Sequence, residues 1–526
     1  MSKLFLGLDS STQSLSAVVI DYDTRKVVYN DSLNFDEALP HYKTRNGVLP
    51  NRDALVKHSP PLMWAEALDL AFARMKKKGV ALNKILAVSG SGQQHGSVYF
   101  NSKGAKAIAN LDPKLSLVKN LAGVFSRPTA AIWMDSSTGA ECNEIRRALG
   151  GIKAAAQLTG SDVFERFTGP QIRKFSKNEK ARYHNTASIA LVSSFMSSLI
   201  AGKISPIDHC DGAGMNLMNI RKKNWDPKAL KATAPELQQK LPPLAAPWTV
   251  VGPVSSYFVK KYGLNPEASA IVWSGDNPCS VIGLGLIDEH TAAVSLGTSD
   301  TYFGSMRRLR VDTRGEGHVF CSPTGDYMTL ICYKNGSLAR ERVRDEHGLD
   351  WDGFNRAITS TSPGNKGGIL LPWFEPEIVP RVTKPRVERL NLDTKDASAN
   401  CRAVVEAQMM SMKLHSHWMK SPAKRIRATG GASDNVAILQ IMADVLGCPV
   451  SRVEVSKSAA LGAALRAAHG WLKANGLPAD WKKVIAGFTQ PASKKEIKPN
   501  AKARRVYEQL TQQYSKFERA HTKSNT

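Results

Sequence analysis

The chain has 526 residues, too many for one hydrophobic core, so two domains of about 200–250 residues each are expected. Its apolar content of 42 % is that of an ordinary globular protein, and no apolar run approaches the roughly 20 residues a bilayer span needs. The net charge of +25 is spread along the chain without a basic stripe interleaved with aromatics, which argues against nucleic acid as a partner and for solubility or affinity for anionic substrates.

In chain order, Leu4–Leu8 reads as a strand, and its apolar run breaks at Asp9, unlike a signal peptide. Asp9-Ser-Ser-Thr-Gln-Ser14 is a polar turn. Leu15–Ile20 is a second strand, and Val27-Val-Tyr29 opens a third after another turn, so Asp9–Gln13 sits at a hairpin tip. Pro60-Pro-Leu-Met-Trp64 opens an amphipathic helix in which Leu62, Ala65, Leu68, Leu70 and Phe72 alternate with polar positions at about helical period. Ile85-Leu-Ala-Val-Ser-Gly-Ser-Gly92 is a strand that runs into glycines.

The run Ala270-Ile-Val-Trp-Ser-Gly-Asp-Asn-Pro278 is a buried strand that ends on a carboxylate and an amide. A turn with Asn277 as helix N-cap and Pro278 as first helical residue accounts for it, and so does a site that uses Asp276. On the capping reading Asp276 stands one residue outside the helix, whose positive end favours its ionised form. The domain boundary is expected after Gly283-Leu-Gly-Leu-Ile-Asp288.

The plan then repeats. Ala292–Leu296 is a strand, Gly297-Thr-Ser-Asp-Thr301 a polar tip, and Tyr302-Phe303 the start of the return strand. Ile426-Arg-Ala-Thr-Gly-Gly-Ala-Ser433 is again a strand ending in glycines, followed by a helix over Asn435–Leu446. Two α/β domains of common plan facing each other across a cleft are therefore expected. Beyond Pro491 a basic appendage places Val506, Leu510, Tyr514 and Phe517 on one helical face. It reads as a helix packed on the body or as a solvated tail. Ser524-Asn-Thr526 does not match a peroxisomal address. The seven cysteines are dispersed, with no Cys-x-x-Cys, as suits reduced thiols in a cytoplasmic protein.

There is no P-loop motif and no clean dinucleotide-binding fingerprint. The two tips, Asp9–Gln13 and Gly297–Thr301, offer small and hydroxyl residues whose backbone N–H groups form anion nests, although such residues serve any turn. With Thr429-Gly-Gly-Ala-Ser433 they resemble the nucleotide site of the actin/hexokinase/sugar-kinase ATPases. Six ordered stretches narrow the resemblance to the FGGY carbohydrate kinases, nearest to the animal-type xylulose kinases. They are Ser89–Gly96, Glu165–Gly169, Ser205–Asn216, Gly275–Pro278, Ser295–Thr301 and Ala428–Ser433.

The resemblance implies an α/β fold of two ribonuclease-H-like domains, a sugar-binding domain over 1–288 and an ATP-binding domain over 289–490, followed by a basic tail over 491–526. It also implies ATP-dependent phosphorylation of D-xylulose, with Asp276 as general base and His95, Arg166, Asp276 and Asn277 around the sugar. Thr12, Gly297, Thr298 and Ser299 fall at the ATP phosphates. Trp351, Gly430, Gly431, Ala432 and Asn435 fall at the adenosine, and Asp9 at Mg²⁺. The partners implied are a sugar and ATP, with no membrane. Another FGGY substrate (ribulose, gluconate or glycerol) and a non-catalytic ATP-binding protein of the same fold are the alternatives. Two departures from bacterial members stand out. Ser11 replaces the Gly of their Asp-x-Gly-Thr tip, and Trp133-Met-Asp-Ser-Ser-Thr138 lacks the Arg that follows their Trp-x-Asp.

Overall fold

A computed structural model describes residues 2–453, 457–490 and 496–522. The expected tail boundary at 491 and the terminal Ser524–Thr526 lie outside these residues. The chain divides into two compact units, each discontinuous in sequence. The first comprises 1–287, 320–327 and 457–489; the second comprises 288–319, 328–456 and 490–526.

The first unit is built on strands Leu4–Ser10, Ser14–Asp21 and Lys26–Asn34, which form an antiparallel meander. Strand Ile85–Gly92 then adds parallel to Leu4–Ser10, and Ser269–Ile271 adds parallel to Ile85–Gly92. The first strand runs two residues past the expected Leu8, so Asp9 pairs with Ser16 in the ladder and the tip shrinks to Ser11–Gln13. The Pro61–Lys77 helix buries Met63, Trp64, Leu68, Phe72 and Met75 in the core under this sheet. Pro60 and Pro61 suit its start, where the amide protons have no acceptor inside the helix.

Helix Ser458–Ala474 also belongs to this unit, although it follows most of the second unit in sequence. It is rich in Ala and Gly because it lies backbone to backbone on its neighbours. A Cβ on Gly462 would fall 1.8 Å from the Cys279 carbonyl oxygen, and one on Gly7 would fall 2.1 Å from that of Ala460. Buried Arg466 on the same helix donates to the Pro247 and Val272 carbonyls at 2.9 and 3.1 Å and pairs with Asp208 at 3.3 Å.

The second unit repeats the plan. Strands Thr291–Leu296 and Asp300–Met306 are antiparallel, with Tyr327–Tyr333 beyond them in a six-stranded sheet. Arg425–Thr429 lies parallel to Thr291–Leu296, and Val450–Arg452 parallel to Arg425–Thr429. The weak sequence repeat is thus a repeat of strand order, an antiparallel pair joined by a polar tip with a parallel strand added to its first member.

The C-terminal helix, Ala501–Thr522, packs on the second unit, which favours the docked reading over a solvated tail. Its buried face is Ala503, Tyr507, Leu510, Tyr514 and Glu518, rotated from the expected one; Val506 is 41 % exposed. The rotation has a polar cause. Tyr507 and Glu518 go inward because Arg402 and His415 meet them there. All seven cysteines are free thiols. Among the described residues no helix is long and apolar enough to cross a membrane.

Candidate active site

In the first unit, three parallel strands end side by side. Asp9 registers with Ser91, and Gly92 with Gly275 of the two-residue strand Ser274–Gly275. Carboxyl edges of parallel strands are where open α/β sheets bind ligands, because the helices that follow open there. Asp9, Gln94, His95 and Asp276 all sit on this edge.

Asp276 is the first residue of helix Asp276–Gly283, and Gly275, not Asn277, is its N-cap. This corrects the capping expectation: Pro278 stands in the first turn, where a missing N–H costs no hydrogen bond, so it marks the helix start less closely than assumed. Asn277 is thereby released from capping. Its Nδ2 donates to Gln94 Oε1 at 2.7 Å and to Asp276 Oδ1 at 3.2 Å. Asp276 Oδ1 also accepts from the amides of Asn277 at 2.8 Å and Gln94 at 3.3 Å. Among the described residues no hydrogen bond to Oδ2 is seen.

Burial raises Asp276 to a pKa of about 6, only partly offset by these backbone donors. The expected effect of the helix's positive end is outweighed, since desolvation of a carboxylate costs more than one helix terminus returns. Asp9 is buried, accepts from Ser91 Oγ at 2.7 Å, and is raised to about 7 by desolvation and by the charge of Asp276. The two carboxyls therefore share one electrostatic environment.

His95 adopts a left-handed backbone (φ 72°), is buried, and packs its ring 4.5 Å from that of Phe167. Its Nδ1 faces the Gly214 carbonyl at 2.8 Å and must carry the proton, because a carbonyl only accepts. Burial, with the nearby Arg166 charge, pushes the ring down to about 3, so it is neutral near pH 7. Arg166 lies by the same aromatic cluster, its guanidinium carbon 5.4 Å from the Phe164 centroid and 5.8 Å from that of Phe167. Thr12 is on the hairpin tip of this unit, where its Oγ1 accepts from Trp133 Nε1 at 2.8 Å.

The second unit holds a cavity of about 1540 Å³. It brings together Gly297, Thr298, Trp351, Gly431, Ala432 and Asn435 of the expected residues. Ser299 and Gly430, both exposed, are outside the residues that line it. Gly430 has φ +87°, and a Cβ there would lie 2.5 Å from the Leu296 carbonyl oxygen, so only glycine lets the two strand ends approach. A Cβ on Gly431 would meet open space. Asn435 caps helix Val436–Leu446, its side chain accepting from the amides of Ala437 and Ile438 at 3.0 and 3.1 Å. Trp351 opens helix Trp351–Ser360, is 46 % exposed, and has the Arg344 guanidinium 4.4 Å from its ring centroid.

Several residues of these sites carried no sequence expectation. The Ser337 amide donates to the Gly297 carbonyl at 2.8 Å, which brings the start of helix Ser337–Glu346 onto the tip. Arg340 on that helix grips Asp300 with two bonds of 2.8 and 3.0 Å, both side chains buried. Gln94 and Asp211 lay within quoted stretches without a role. Among the described residues Asp211 Oδ1 is buried with no hydrogen-bond partner, and desolvation pushes that carboxyl well above the usual carboxylate range.

Residues 128–283 match the N-terminal domain, and residues 292–471 the C-terminal domain, of the FGGY family of carbohydrate kinases. The chain is 42 % identical over 525 residues to xylulose kinase of Rattus norvegicus, covering 98 % of this chain and 96 % of the relative. It is 43 % identical over 492 residues to xylulose kinase 2 of Arabidopsis thaliana, covering 89 % and 87 %. In fold it is similar to a xylulose kinase from Brucella ovis (TM-score 0.82, 20 % identity, 99 % and 100 % covered). It is also similar to a gluconate kinase from Lactobacillus acidophilus (TM-score 0.81, 19 % identity, 99 % and 98 % covered). With both family domains in order and near-complete coverage by close relatives, this chain belongs to the FGGY family of carbohydrate kinases.

Proposed function

We propose that the protein transfers the γ-phosphoryl group of ATP to D-xylulose, giving D-xylulose 5-phosphate, with Asp276 as general base. One observation carries the chemistry. Asp276 has one carboxylate oxygen saturated by donors and held at a pKa of about 6, a base matched to removing a hydroxyl proton near neutral pH. The choice of sugar is supported by the relatives named xylulose kinase at 42–43 % identity.

In this reading Asp276 Oδ2 takes the proton of the attacking sugar hydroxyl. Neutral His95, whose Nδ1–H is spent on Gly214, offers Nε2 as an acceptor to a second hydroxyl, while Arg166 supplies donors and Asn277, whose Nδ2 is spent on Gln94 and Asp276, offers its side-chain oxygen. The backbone of Gly297, Thr298 and Ser299 holds phosphate oxygens, assisted by the helix that starts at Ser337. Thr12 adds a phosphate contact from the other tip. Gly430, Gly431 and Ala432 let adenosine approach the backbone beside Asn435 and Trp351. The first unit thus serves as the sugar-binding domain expected over 1–288, with helix Ser458–Ala474 added to it, and the second as the ATP-binding domain.

Mg²⁺ fits the donor set. Asp9 is a hard oxygen ligand, and a cation beside it would relieve the repulsion it feels from Asp276. Among the described residues no cluster of three or more metal-ligating side chains occurs, so the rest of its shell would be water and phosphate oxygen, the usual habit of this ion. When bound, it neutralises charge on the phosphoryl group being transferred. The free thiols suit a cytoplasmic enzyme.

The test is an ADP-release assay with D-xylulose, D-ribulose, L-ribulose, glycerol and gluconate side by side. D-xylulose should give the highest kcat/KM. A clear preference for another member of the panel would move the substrate, and no turnover with any would leave a nucleotide-binding protein.

A further inference from the structure

The matched family domain ends at residue 471, yet the wall of the nucleotide cavity includes Lys498, Asn500, Lys502 and Ala503. This segment is tied down. Ile497 exchanges two backbone hydrogen bonds with Val450 at 2.8 and 2.9 Å, extending the edge of the sheet. The Asn500 amide donates to Asp444 Oδ1 at 2.6 Å, and Gln440 Nε2 donates to both Asp444 Oδ1 and the Lys498 carbonyl, at 2.9 and 3.0 Å. Asp444 and Gln440 themselves line the cavity. Asp444 is nine residues past Asn435 in sequence, about 13 Å along the helix axis at 1.5 Å per residue.

A second link runs beneath the cavity. Buried Arg402, on helix Ala397–His415, donates to the Ile358 and Thr361 carbonyls at 2.9 and 2.8 Å, at the end of the helix that Trp351 opens. It donates to Glu406 at 2.6 Å and to the Tyr507 hydroxyl at 2.7 Å, and Tyr507 donates to Glu406 Oε1 at 2.6 Å. One guanidinium thus clasps three helices, among them the one bearing Trp351 and the C-terminal one.

We infer that residues 497–507 are a working wall of the nucleotide site. Lys498, Asn500 and Lys502 face the nucleoside end, and Tyr507 is a positioning residue that acts through Arg402 on the Trp351 helix. The inference rests on the nucleotide reading of this cavity. A nucleotide with its phosphates at Gly297–Thr298 and its ribose at the glycine turn directs its base along helix Val436–Leu446 towards this segment. The lysines and amides there provide hydrogen-bonding groups for a purine edge.

Hydrogen exchange on the full-length protein, with and without ADP and no sugar, tests this directly. ADP is expected to protect amides in 497–507 together with those at 297–299 and 430–432. Protection at the two loops alone overturns the inference and leaves the nucleotide reading intact. Protection nowhere overturns both. As a second measurement, Lys498→Ala/Lys502→Ala and Tyr507→Phe should each weaken ADP binding by about threefold to tenfold, as loss of one or two polar contacts does, with KM for the sugar unchanged. ADP affinity equal to that of the parent in both variants also overturns it.

Discussion

Replacing Asp276 with Asn tests the proposed chemistry at one atom. The three donors around Oδ1, the amides of Gln94 and Asn277 and the Asn277 side chain, all need an acceptor. They will hold the carbonyl oxygen of the new amide on that side and turn its NH₂ to where Oδ2 was. The variant keeps its packing but presents a donor where the reaction needs an acceptor. General-base loss of this kind costs about 10²–10⁴-fold in kcat, with ATP binding largely kept. The pH profile adds a second reading. With a pKa of about 6 in the free enzyme, about a tenth of Asp276 is ionised at pH 5, so kcat/KM of the parent should fall by about tenfold from its plateau there. That acid limb should be absent from the variant's residual rate. Asp9, held at about 7 partly by the charge of Asp276, should titrate lower in it. Steady-state kinetics from pH 5 to 9 with saturating ATP measures both. Near-parental turnover, or an unchanged acid limb, would refute the base assignment.

Gln94→Met keeps the packing against Gly275 but removes the acceptor that orients Asn277; KM for the sugar should rise about threefold to tenfold with KM for ATP unchanged, as initial-rate kinetics will show. His415, bridging Glu518 at 3.0 Å and Glu316 at 3.6 Å with Arg314 at 3.3 Å, is raised to about 9 by these carboxylates despite its burial. A folded pKa above the unfolded 6.5 means stabilisation that is full below about pH 6.5 and lost as pH rises through about 9, up to about 3 kcal/mol. Thermal melts of His415→Ala should therefore fall further below the parent at pH 6.5 than at pH 9.5. Gly462→Ala drives a methyl into the Cys279 carbonyl and should cost about 3 kcal/mol or more, seen as a large drop in denaturation midpoint.

The skeleton of both units was legible because strand and tip signals are local. Leu4–Ser10, Ile85–Gly92, Thr291–Leu296 and Arg425–Thr429 are short apolar runs ending in small or polar residues, and each stands where that pattern puts it. What escaped depends on distant partners. Asn277 looked like a cap because Asn-Pro often is one; Gln94, 183 residues away, engages it instead. Asp300 read as one more tip residue until Arg340 arrived from the following helix. The C-terminal face was drawn through Val506 from hydropathy, whereas Tyr507 and Glu518 are inward-facing only because buried cationic groups await them. The Ala- and Gly-rich helix Ser458–Ala474 carried no mark of which unit it completes, since close backbone packing erases the side-chain signal.

That helix also constrains how the protein is made. The first unit's sheet is synthesised early, but the segment that covers Gly7 and backs the Asp276 helix leaves the ribosome only after residue 457, behind most of the second unit. The nascent first unit must wait, incomplete, with the surface beside Phe5, Ala87 and Ile271 uncovered. Splitting the gene at the boundary near 288 would therefore yield two fragments of which the first lacks its own closing piece. A circular permutant that begins near residue 457 would deliver the same helix first.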